Sequence, residues 1–133
     1  MLYQQDRITI LKGDMLAKNT MQGIGAAARA LGVTIRVYYP SNAPEFWPHS
    51  AQYKNNVIAL PFDERSVVLQ TLSGVQPGFG QKKKGYWHYN AQAGLMQQDL
   101  MRRREVGSMR QLVTVRNKTD DPDFTVSGLQ RAP

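Results

Sequence analysis

The tightest constraint on the fold is a hydrophobic period that changes from two to about 3.6 and back within residues 7–39. Residues 7–12 (RITILK) alternate through Ile8 and Ile10, which predicts a strand stopping at Gly13-Asp14. Asn19 or Thr20 then offers a side-chain oxygen to the free N–H groups of a helix, along which Met21, Ile24, Ala28 and Leu31 recur at helical spacing. Gly32 is placed as a left-handed terminator. Residues 33–39 (VTIRVYY) are β-branched and aromatic and predict a second strand. Strand, helix and strand with short joints form a βαβ unit.

The rest of the chain extends that pattern. A Pro-rich loop (PSNAPEFWPHS) follows Pro40, and Ser50 is placed to cap a helix to about residue 59 with Tyr53, Val57 and Ile58 inward. Further strands are expected over residues 66–72 and 111–116, with a glycine-rich basic loop over 73–85 and a helix over 88–104. Residues 124–127 are expected to pair back as an antiparallel hairpin. The expected fold is α/β: a mainly parallel sheet of four or five strands with flanking helices and an antiparallel C-terminal edge. It forms one domain over residues 1–130 with a loose tail at 131–133. The length, 133 residues, suits a single core.

Composition removes several chemistries. There is no Cys, so disulfide scaffolds, thiolate zinc sites, iron–sulfur clusters and Cys nucleophiles are excluded. No H-x-x-x-H spacing occurs, and Asp120, Asp121 and Asp123 lack the remaining ligands of a calcium loop, so no metal is expected. No apolar run approaches the ~18 residues of a membrane-spanning helix. The expected location is cytoplasmic, or that of a larger secreted polypeptide that delivers the domain.

The net charge is +7, and it is uneven: residues 73–133 hold ten basic against five acidic side chains. Lys82, Lys83 and Lys84 precede Tyr86, Trp87 and His88, while Arg102, Arg103 and Arg104 form a second run. Cations interleaved with aromatics suit single-stranded nucleic acid, since rings stack on bases while cations meet phosphates. The alternative is a solvated charged face, with Tyr86 and Trp87 packed under the sheet and His88 capping the helix. His88 is the candidate general acid or base of a toxin-like ribonuclease, with Glu45 or His49 as the second proton-transfer group.

Ligands of a parallel sheet bind outside the carboxyl ends of its strands. That rule selects Asp14 after the first expected strand and the loop after the second, where Ser41 and Asn42 supply hydrogen-bonding groups and Phe46 and Trp47 offer a wall for a flat ring. The alternative for Phe46 and Trp47 is an aromatic plug that closes the end of the core. Gly23, Gly25 and Ala28 spell G-x-G-x-x-A, but inside the expected helix rather than before it, where small residues serve close packing.

ITILKGDML followed by a helix and IRVYYPSNAPEFW resembles the middle of a class I methyltransferase (Rossmann-type) domain. YKNNVIALPFDERSVVLQTL and GYWHYNAQAG resemble a group of bacterial methyltransferase-like proteins without assigned chemistry. The resemblance covers about residues 7–116. It implies Asp14 at a cofactor's adenine, with Ser41, Asn42 and Glu45 at the mouth of the site. The glycine-rich loop that such a domain carries on its first strand has no counterpart before Arg7. The resemblance is thus to a C-terminal half, and S-adenosylmethionine is expected only where a partner or a further segment supplies that loop. Two functions follow as expectations: a methyltransferase-like module binding a small ligand or nucleotide, and a basic RNA-directed domain. Exposed sheet edges favour a homodimer or a larger parent chain.

Overall fold

A computed structural model describes residues 10, 12–73 and 87–129. The strand expected over 7–12 lies almost wholly outside them, as do Lys82, Lys83, Lys84 and Tyr86. Helix α1 (Thr20–Ala30) leads to strand β1 (Val37–Ser41), a 3-10 turn (Ala43–Phe46) and helix α2 (Ala51–Ile58). Strands β2 (Val67–Ser73) and β3 (Trp87–Ala93) come next, then helices α3 (Gly94–Arg102) and α4 (Met109–Leu112) and strands β4 (Asn117–Lys118) and β5 (Phe124–Ser127). The five strands form one sheet in the order β1-β2-β3-β5-β4.

The chain is α/β, and its sheet is mixed rather than mainly parallel. β1 with β2 and β3 with β5 are parallel, whereas β2 with β3 and β4 with β5 are antiparallel. Two differences from the sequence expectation produce this. Residues 88–93, expected as the start of a helix, belong instead to β3, which pairs residue for residue with β2 from Ser73↔Trp87 to Val67↔Ala93. The strand expected over 111–116 is replaced by α4 and the turn after it, because Met109, Leu112 and Val113 sit at helical spacing and all three bury against the core. The C-terminal hairpin forms, with β4 as its partner.

Local chemistry explains the ends of the elements. Gly32 adopts φ +65°, and its N–H and that of Val33 donate to the carbonyls of Arg29 and Ala28, closing α1 with a left-handed turn. Ser50 Oγ accepts from the Tyr53 N–H at 3.2 Å, which caps α2. At the other end of α2, Gln98 Nε2 of α3 donates to the carbonyls of Val57, Ile58 and Leu60. Gly25 brings α1 against the chain at Ala59, where an added Cβ would collide with the carbonyl oxygen. Within the G-x-G-x-x-A pattern, Gly25 and the buried Ala28 therefore serve packing, while Gly23 faces open space.

The helices lie on one side of the sheet. Met21, Tyr53, Val57, Leu60, Leu100, Met101, Val106 and Leu112 form the main core, with Tyr38, Trp47 and Phe62 packed on it. The sheet residues that face this layer are unusually polar: Gln70, His88, Asn90, Gln92, Thr125 and Ser127 are all buried. They bond to one another and to the helices. Asn90 Oδ1 accepts from Thr125 Oγ1 and Ser127 Oγ, Gln70 Nε2 donates to Gln97 Oε1, and Gln92 Nε2 donates to the Leu112 carbonyl.

Candidate functional site

Directly paired residues of adjacent strands share a face, so the register defines what the other side of the sheet presents. Thr71 of β2 pairs with Tyr89 of β3, and Tyr89 pairs with Phe124 of β5. Tyr39 of β1 joins the row through its hydroxyl, 3.0 Å from Thr71 Oγ1. Trp87, two residues before Tyr89, stands next in line on the same face. Four strands thus present Tyr39, Thr71, Tyr89 and Phe124 as one row, flanked by Trp87. On this face Tyr39 keeps 53%, Trp87 45% and Tyr89 39% of its surface exposed, whereas Thr71 and Ala91 are buried and Phe124 is half-buried. The bonds from Thr71 and Ser41 hold the Tyr39 phenol below its ordinary pKa.

The carboxyl ends of the parallel pair border this row. Ser41 closes β1 with φ +55°, a left-handed conformation that a non-glycine residue rarely takes, at an irregularity in the pairing with β2. Asn42 begins the 3-10 turn, its carbonyl accepting from the Glu45 N–H at 2.9 Å. Glu45 Oε2 then accepts from both the N–H and the Oγ of Ser73, at 2.9 and 2.6 Å, and fastens the turn to the end of β2. Trp87 pairs with that same Ser73. The fold therefore gathers Ser41, Asn42, Glu45 and Trp87, predicted from separate stretches, at one end of the sheet.

Other predicted residues lie elsewhere. Asp14 Oδ1 accepts from the Leu16 N–H at 2.8 Å and its own N–H donates to Thr20 Oγ1, so Asp14 organises the turn before α1. Phe46 is exposed. Trp47 packs edge-on to Tyr53, ring centroids 5.8 Å apart, and serves as a plug on the core. His88 is fully buried on the helix-facing side, its Nε2 2.9 Å from Thr125 Oγ1, and burial lowers its pKa. Glu45 is engaged by Ser73 and His88 by Thr125, so each member of the expected proton-transfer pair has a structural partner. Arg102, Arg103 and Arg104 end α3 in the helical layer, so Arg102–Arg104 and Trp87 belong to different layers. The two best-formed clefts among the described residues have none of Asp14, Ser41, Asn42 and Glu45 in their walls. Among the described residues no group of His, Asp and Glu is arranged to hold a metal ion, and no helix is long and apolar enough to cross a membrane.

Tyr39, Tyr89 and Phe124 were not among the residues predicted for the site. For Tyr89 a signal is present in W-H-Y-N-A-Q, where Trp87 and Tyr89 alternate with polar side chains at a period of two.

These features define a layered α/β domain, with helices on one side of a mixed sheet and aromatic rings on the other. The chain belongs to the family described as Domain of unknown function (DUF7790), whose model matches residues 1–132. No curated protein matches the chain.

Proposed function

We propose that this domain binds nucleobases on its open sheet face, and that single-stranded RNA is the ligand that suits it best. The observation that carries the reading is the row of Tyr39, Thr71, Tyr89 and Phe124 across four adjacent strands, with Trp87 beside it and the rings of Tyr39, Trp87 and Tyr89 exposed. Rings held on a rigid sheet accept successive bases at ~1–3 kcal/mol each, whatever the base. An open platform favours a strand over a mononucleotide, since a small ligand needs enclosing walls to bury most of its surface. The net charge of +7, with Lys82, Lys83 and Lys84 within five residues of Trp87 in the chain, supports attraction to phosphates. Ser41 and Asn42 at the strand end supply polar groups for base edges. The reading is one of binding, with no cleavage step assigned to His88.

Fluorescence anisotropy of a labelled single-stranded RNA tests this, with calorimetry of adenosine monophosphate and S-adenosylmethionine as parallel arms. The expected result is saturable RNA binding that weakens steeply with salt and weakens in Trp87→Ala. Tight binding of S-adenosylmethionine with none of RNA would move the reading to a methyltransferase-like cofactor module. Absence of both, with the protein folded, overturns nucleobase recognition.

A further inference from the structure

A separate feature lies within the helical layer. A cleft of about 510 Å³ opens between α2 and the C-terminal end of α3, and its walls carry Lys54, Arg102, Arg103 and Arg104 but no carboxylate. Asp99 pairs with Arg102 at 2.8 Å, with both side chains more than half exposed. Lys54 Nζ donates to the Arg103 carbonyl at 2.7 Å, which ties the two helices together and leaves the ammonium with further N–H groups to give. Arg103 and Arg104 meet no acidic partner among the described residues.

His49 borders the same cleft. Its main-chain N–H donates to the Gly107 carbonyl at 2.8 Å, and its ring packs on Tyr53 with centroids 5.0 Å apart, leaving only 5% of the residue exposed. Neither ring nitrogen has a hydrogen-bond partner of ordinary geometry among the described residues. A buried imidazole without a well-formed hydrogen bond is unfavourable, and crowded cations with no acid between them repel one another. One ligand answers both.

We infer that the cleft binds a phosphate monoester, with Arg103 and Arg104 donating guanidinium N–H groups to its oxygens, Lys54 adding charge and His49 donating a ring N–H. Guanidinium forks match the oxygens of phosphate in pairs, and a dianion suits several cations better than a single carboxylate does. The volume exceeds that of inorganic phosphate, so an organic group attached to the phosphate is accommodated. Burial lowers the His49 pKa to about 4; the Pro44 carbonyl opposes this, and the nearby Lys54 adds the smallest contribution, in the same direction as burial. At neutral pH the ring is therefore neutral and offers one N–H. The cleft does not involve the open sheet face, so it stands whether or not RNA stacks there.

The test is an NMR titration of the whole chain with glycerol 3-phosphate, following the imidazole nitrogens of His49, alongside inorganic phosphate and a single-stranded RNA. The structure predicts a saturable shift at His49 with the phosphate monoester, and an apparent affinity at least roughly tenfold weaker in the Arg103→Ala, Arg104→Ala double variant. Those two arginines are exposed, so the variant is expected to fold. Absence of a shift at His49 in the folded protein, or the same affinity in the double variant, overturns the inference, as does a response to RNA alone.

Discussion

The Tyr39 hydroxyl lies 3.0 Å from Thr71 Oγ1, and this bond ties the outermost strand's aromatic ring to its neighbour. It makes Tyr39 part of one row with Tyr89 and Phe124, where an unattached tyrosine on an edge strand would be free to turn away. Thr71→Val removes the tether while keeping the β-branched shape. The expected cost in stability is ~0.5–1.5 kcal/mol, read by urea unfolding, with RNA affinity lower by a few-fold in anisotropy.

Glu45 links the turn after β1 to the end of β2 through two bonds to Ser73. Glu45→Gln keeps the size and loses the charge that strengthens both bonds. The variant is expected to unfold ~1–2 kcal/mol more easily, and exchange of the Ser73 amide hydrogen is expected to quicken.

Two glycines in one helix are predicted to respond with opposite sign. Gly25 is buried against Ala59, so Gly25→Ala forces the helix off its seat, at ~1–3 kcal/mol of overpacking. Gly23 has nothing near the position a Cβ would take, so Gly23→Ala is expected to stabilise by ~0.5–1 kcal/mol through helix propensity. Thermal unfolding of the two variants reads both signs.

Acid is expected to destabilise the fold through its histidines. The folded-state pKa of His49 is lowered to about 4, chiefly by burial, while the unfolded chain takes up its proton near the ordinary histidine value of 6.5. Between those values the unfolded state binds more protons, so stability is fully present above pH 6.5 and is lost as pH falls toward 4. The expected loss is roughly 3 kcal/mol, since each pH unit crossed between the two values removes ~1.4 kcal/mol. Burial lowers the pKa of His88 as well, adding in the same direction. Urea unfolding across this range checks the slope, which is expected to flatten in His49→Gln.

The outline of the fold was legible where pattern and burial agree. Ser50 followed by inward Tyr53 and Val57 marks α2, Gly32 marks the end of α1, and the β-branched run at residues 66–72 marks β2. β3 was hidden because its inward positions are His88, Asn90 and Gln92 rather than aliphatics. A hydrophobicity pattern cannot show that polar side chains will be buried when tertiary partners satisfy them, here Thr125, Ser127 and the Leu112 carbonyl. The same gap concealed half of the site. Ser41, Asn42, Glu45 and Trp87 stood out as polar or aromatic residues near strand ends. Tyr39, Tyr89 and Phe124 gain meaning only from strand register, which unites distant stretches of the chain. Arg102, Arg103 and Arg104 stood out as charge, whereas their companions Lys54 and His49 come from another helix and the loop before it.

The most direct measurement is the emission of Trp87 in a Trp47→Phe background, titrated with a single-stranded RNA. Trp87 is nearly half exposed on the open face, so stacking a base on or beside it is expected to quench its emission saturably. Tyr89→Ala is expected to weaken that quenching, and added salt to reverse it. Emission that stays constant through the titration, in a protein shown to be folded, would contradict nucleobase binding on this face.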